Sequence, residues 1–223
     1  MDAWFRAGVA PAVARRRLRG PPDRIFLTGF AAMRRIRFAL FAIILGFCAA
    51  ADLANAGEAE AWTALHAGRH VALMRHTDAP GGVGDPPGFR VDDCATQRNL
   101  SAKGRADALR IGARLRSEGI AVETILSSPW CRCMDTATLL ELGPVEAEPT
   151  FGNVVVLSDQ RESLTAGART VIDKWAGSGI LLVVTHGANI FALTGISPAS
   201  GEIVVVRSGS GGSSESVGRL MLD

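Results

Sequence analysis

VALMRHT, residues 71–77, decides how this chain is read. Four apolar residues, Val71–Met74, run straight into Arg75-His76, the pattern of a buried strand that delivers polar groups at its carboxyl end. The same pattern returns in ILLVVTHG, where Ile180–Val184 leads into Thr185-His186-Gly187. Val122–Leu126 reads as another strand, followed by the turn Ser127-Ser128-Pro129 and a helix with Pro129 in its first turn, carrying Arg132, Thr136 and Leu139–Leu140. Val154–Leu157 reads as a third strand or an edge segment. Ile203–Val206 is a last strong strand, Gly209–Ser214 a flexible turn, and Val217–Leu222 a returning hairpin partner. Helices fill the intervals. One is capped by Ser101, presents Ala108, Ile111, Gly112 and Leu115 on its apolar face and stops at Gly119; the others span Glu162–Trp175 and Ala188–Leu193. Strands alternating with helices give an α/β domain, a three-layer α/β/α sandwich with a largely parallel central sheet.

Outward from this domain, the first quarter of the chain has a different character. Residues 1–56 hold nine Arg and three Asp, a net +6, whereas residues 57–223 carry a net −4. Arg34, Arg35 and Arg37 precede the apolar run Phe38–Ala50, and Ala54-Asn55-Ala56 is a small-x-small cleavage pattern. Residues 1–56 are therefore expected to be a signal peptide, with a mis-set start before Met33 explaining its length, and residues 57–223 the mature domain. The expected location is periplasmic or secreted, with no stable membrane span after cleavage. Cys48 is a weak lipid-attachment candidate. Of the remaining cysteines, Cys94 is expected to pair with either Cys131 or Cys133. The acidic mature domain shows no interleaving of aromatic and basic residues, so no nucleic-acid partner is expected. No GxGxxG or GxxxxGK segment follows the first strand, which argues against a nucleotide loop.

In parallel sheets, ligands bind beyond the carboxyl ends of the strands. Arg75-His76, His186 and the Ser127–Arg132 segment leave three separate strands at that edge. Imidazoles, guanidiniums and helix N-termini together make an anion site, and an imidazole beside a bound phosphate can attack phosphorus.

The segments Leu73–Thr77, Ser127–Arg132 with Thr136-Ala137, and Val183–Gly187 resemble, in order, the three signature segments of the histidine phosphatase superfamily, which has the phosphoglycerate mutase-like fold. Asn99-Leu100-Ser101 with Gly104 and Arg105 resembles that family's entry into its first long helix. The resemblance covers residues 69–206. It implies that His76 is the phosphorylated nucleophile, that Arg75, Arg132 and His186 complete the phosphate pocket, and that no metal or other cofactor takes part. Thr77 stands where the family usually has glycine, and its hydroxyl is expected to face the phosphate; Ser128, Arg98 and Gly187 are further substrate-binding candidates.

The proton donor is the open position. Gly187-Ala188-Asn189 follows the second histidine, where one branch of the family has an acid. Asp78 is the leading candidate, with Asp92, Asp93, Glu146 and Glu148 behind it. Asp78, Asp85, Asp92 and Asp93 lie in a Gly- and Pro-rich loop and read equally well as solvated residues. The expected activity is a phosphatase acting on a small phosphorylated molecule through a phosphohistidine. A phosphate- or phosphosugar-binding module without chemistry and a phosphomutase are the alternatives. Nothing in the sequence sets the oligomeric state.

Overall fold

The computed structural model describes residues 57–209 and 215–222. The expected signal segment 1–56, its cleavage site, Cys48 and most of the Gly209–Ser214 turn lie outside the described residues. Among those described, no helix is long and apolar enough to cross a membrane.

Six strands form one sheet: β1 (His70–Arg75), β2 (Val122–Ser127), β3 (Val145–Ala147), β4 (Ile180–Thr185), β5 (Ile203–Arg207) and β6 (Ser216–Leu220). Their order across the sheet is β3-β2-β4-β1-β5-β6. The first four run parallel, and β5 and β6 add an antiparallel edge. The α/β sandwich read from the sequence is the observed fold. One strand differs. Val154–Leu157 forms a turn, and the third strand is instead the three-residue edge Val145–Ala147. Val154 is apolar because it is buried, and a short apolar run does not reveal whether it is buried in a strand or in a turn.

Helical residues 57–67 (α1), Ala102–Ser117 (α2) and Cys131–Leu139 (α3) cover one face of the sheet; Arg161–Asp173 (α4) and Gly187–Thr194 (α5) cover the other. The central strands therefore bury both sides. Ala72 and Met74 of β1, and Leu182 and Val184 of β4, join the core under α1–α3. Val71 and Leu73, with Leu181 and Val183, join the core under α4 and α5. This is why these strands are continuous apolar runs with no polar alternation.

α2 begins where the sequence places it, with the Ser101 hydroxyl accepting from the Gly104 amide at 2.9 Å. α2 meets α3 closely at Gly112, where a Cβ would fall inside contact distance of the Leu140 carbonyl. Gly112→Ala is expected to force these helices apart and to cost about 1–3 kcal/mol, the usual penalty of overpacking. A lowered Tm in thermal unfolding, with far-UV circular dichroism unchanged, checks this.

Candidate active site

β1 and β4 are paired neighbours with Arg75 opposite Thr185. Both chains therefore leave the sheet at the same level, and the next residue of each is a histidine. The His76 and His186 rings meet edge to face with centroids 5.5 Å apart. Around them lies an open cavity of about 430 Å³ lined by Arg75, Arg98, Arg132 and Gly187, among others.

His76 is buried, and its backbone amide donates to the Thr185 carbonyl at 2.9 Å. Its Nδ1 lies 2.8 Å from the Thr77 carbonyl. A carbonyl only accepts, so Nδ1 carries the proton and Nε2 keeps its lone pair. Burial, opposed by that hydrogen bond and aided by the nearby Arg132, Arg75 and Arg98 charges, brings the His76 pKa down to about 4. His186 is also buried. Its Nε2 meets the Ser128 hydroxyl at 2.9 Å and its Nδ1 faces Arg132 Nη2 at 3.4 Å. Burial, and then the neighbouring His76 and the arginines, push its pKa well below the ordinary value. Both imidazoles are neutral near pH 7.

Arg132 comes from the first turn of α3 and is completely buried. Its Nη1 and Nη2 donate to Asp85 Oδ1 and Oδ2 at 2.7 and 3.2 Å, and both side chains of this pair are shut off from solvent. Asp85 also accepts from the Trp130 indole at 2.9 Å and the Arg98 amide at 3.1 Å. These donors, Arg132 above all, outweigh desolvation and hold its carboxyl below the usual range. Asp85 thus fastens the long loop after His76 to α3. A disulfide between Cys94 and Cys131, one residue before Arg132, fastens the same loop again. Gln97 adds a third tie, its Oε1 accepting from the Cys131 amide at 3.0 Å. The cysteine choice left open by the sequence falls to Cys131; Cys133 is free, buried and in contact with His186.

Arg75 reaches from the end of β1 and donates from Nη1 to the Pro198 carbonyl at 2.8 Å. The Nε–H groups of Arg75 and Arg132 are buried without an acceptor. Buried donors of this kind call for a partner, and a bound oxyanion would supply it. Arg98 lines the mouth, with Nε and Nη1 donating to the Gly84 and Ala79 carbonyls at 2.5 and 2.6 Å. Three guanidiniums with one carboxylate partner leave the cavity strongly positive, as a phosphate dianion requires.

Other sequence candidates lie elsewhere. Thr77 is buried against Thr136, with 3.2 Å between their hydroxyls, and Ser128 is occupied by His186; neither lines the cavity. The Asp78 carboxylate accepts from the Ser101 hydroxyl at 2.5 Å at the start of α2, away from the cavity lining. Asp92 and Asp93 pair with Arg90 on the loop. Glu148 caps a short turn through Thr150, and Glu146 is exposed on β3. No carboxylate lines the cavity among the described residues. Also among them, no three His, Cys, Asp or Glu side chains cluster as a metal site.

The sequence reads Asp85 only as one of several solvated loop aspartates and leaves Asn153 unmarked. Asp85 sits in GGVGDPPGF, where no local pattern marks a buried ion pair. Asn153 lines the cavity, and its position ahead of an apolar run was a turn signal left unused.

Folding should be linked to protonation through the two histidines. An unfolded histidine gains its proton near 6.5, whereas folded His76 resists until about 4. Between those values the unfolded chain binds more protons. The stability from neutral burial is therefore complete above pH 6.5 and falls as pH drops toward 4. Denaturant unfolding across this window should show that decline, and His76→Gln should make it shallower, leaving the share of His186. A His76 imidazole titrating near 6.5 by NMR would contradict this account.

Residues 71–155 match the family model described as histidine phosphatase superfamily, branch 1. No curated protein matches the chain. Among solved structures, the chain is similar to the open reading frame Rv3214 product of Mycobacterium tuberculosis, at 17% identity and TM-score 0.50, covering 69% of this chain and 96% of that one. It is also similar to the protein histidine phosphatase SixA complexed with tungstate, at 20% identity and TM-score 0.48, covering 68% and 96%. A third is mycobacterial glucosyl-3-phosphoglycerate phosphatase, at 17% identity and TM-score 0.47, covering 68% and 96%. At these identities the likeness is one of fold. The family match spans Arg75, His76 and Arg132; His186 lies outside it, just past the end of β4.

Proposed function

With the histidine phosphatase superfamily supported for this chain, we propose that it hydrolyses a small phosphorylated substrate through a phosphohistidine on His76. The observation that carries this reading is His76 itself, neutral and with its tautomer fixed, in one cavity with His186 and three guanidiniums. Nε2 of His76 attacks phosphorus, the bond from phosphorus to the leaving atom breaks, and its electron pair departs with the leaving group. Water then attacks the phosphorus, the P–N electron pair returns to Nε2, and the proton lost by water passes to solvent. Arg75 and Arg132 hold the non-bridging oxygens as charge redistributes, and His186 sits beside His76 against the same group.

Export accompanies this reading. The Cys94–Cys131 disulfide supports an oxidising compartment, in keeping with the signal-like segment before residue 57. Cell fractionation with an antibody against the mature domain tests it.

Incubation with radiolabelled acetyl phosphate and a rapid quench is expected to leave acid-labile, alkali-stable label on the protein. His76→Ala should remove the label and lower kcat by at least roughly 10³-fold, as loss of a nucleophile does elsewhere. A phosphate-binding module without chemistry would bind inorganic phosphate, take no label and turn over no phosphoester.

A further inference from the structure

The cavity has a phosphate end and a mouth, and the mouth has its own chemistry. Val83, Val155 and Phe191 line it, and they are 87%, 38% and 57% exposed. They are three of only six large apolar residues exposed among those described, the others being Val91, Leu109 and Met221. Single exposed apolar residues need no explanation, but three from separate segments around one cavity form a patch. Val83 comes from the loop after β1, Val155 from the turn after β3, and Phe191 from α5.

The polar side of the mouth is sparse. Beyond the arginines and histidines, Asn153 and Ser197 are the only lining residues with polar side chains among the described residues. The Asn153 side chain has a fixed orientation. Its Oδ1 accepts from the Val155 and Val156 amides at 3.0 and 3.4 Å. The amide Nδ2 is thereby turned away from its own turn. It has no hydrogen-bond partner among the described residues and keeps some contact with solvent, on a residue that lines the cavity. It can donate a hydrogen bond to a leaving atom but cannot give up a proton. No carboxylate in the lining can do so either.

We propose that the substrate is an aryl phosphate: a phosphate dianion on an apolar aromatic body. This rests on the phosphohistidine reading above and names the leaving group. In the first step the P–O bond breaks and the electron pair leaves on a phenolate oxygen, which Asn153 Nδ2 stabilises by hydrogen bonding and which takes its proton from solvent after release. A phenol of the tyrosine type has a pKa of about 10 and departs as its anion. An alkyl alkoxide is far more basic, close to hydroxide itself, and needs a general acid that this mouth lacks. The ring lies against Phe191, Val155 and Val83. A sugar phosphate would bring hydroxyls to a wall that offers them few partners.

The test is a series of substituted phenyl phosphates and 2-naphthyl phosphate, set beside glycerol phosphate and glucose 6-phosphate. The expected kcat/KM falls steeply as leaving-group pKa rises, with the alkyl esters at least roughly 10³-fold below phenyl phosphate. Phe191→Ser should raise KM for 2-naphthyl phosphate several-fold, and by clearly more than it changes KM for acetyl phosphate, which has no ring. Asn153→Ala should steepen the dependence on leaving-group pKa. Equal kcat/KM for glycerol phosphate and phenyl phosphate, with His76 still taking label, would overturn the leaving-group assignment and leave the phosphohistidine reading standing. No label on His76 and no turnover of any ester would instead remove the reading on which the assignment rests.

Discussion

The parallel pairing of β1 with β4 is the constraint from which the site follows. It fixes Arg75 against Thr185, and the two histidines then have to emerge side by side. Burial does the next piece of work. The ends of both strands lie between two covered faces, so each imidazole pays for desolvation if it is charged. Neutral histidines beside several arginines would otherwise be an odd pairing of weak bases with strong cations. The arrangement suits the proposed function, in which an anion arrives from outside and brings the missing negative charge with it.

The loop after β1 is the second element on which the site depends. It is held to α3 by an ion pair, a disulfide and an amide cap, all within three residues of the helix start. Asp85 neutralises part of Arg132 while leaving its Nε–H unpaired. A buried arginine with no carboxylate beside it would be costly to keep, and one fully enclosed by carboxylates would have nothing left for a ligand. The bidentate pair stands between these limits. It holds the guanidinium in one plane and leaves another edge of it unpaired.

Much of this was legible in the sequence. The apolar runs that end in Arg75-His76 and Thr185-His186 announce buried strands and the polar residues at their ends together, because both are local patterns. The histidines at the site could be read for that reason. Val154–Leu157 misled because Val155 is apolar for the sake of the cavity mouth and Val154 for the core, and neither reason involves a ladder. Asp85 reads in the sequence as no more than a solvated loop aspartate. Its partner lies 47 residues away, and nothing in a Gly- and Pro-rich loop distinguishes an aspartate bound for a buried arginine from one bound for water. A separation of 23 residues likewise hid the binding of Asp78 to Ser101, which takes up the carboxylate nearest in sequence to His76.

Trp130 connects these parts in another way. Its indole donates to Asp85, and its ring meets His186 edge to face at 5.5 Å and leans on Phe89 at 5.9 Å. The chain contains four Trp and no Tyr. Its near-ultraviolet emission is therefore a tryptophan signal, and one of the four fluorophores is wedged between the loop anchor and an imidazole of the candidate site. Light emitted from inside the site would respond to the charge state of that ring and to the seating of that loop, with no label added.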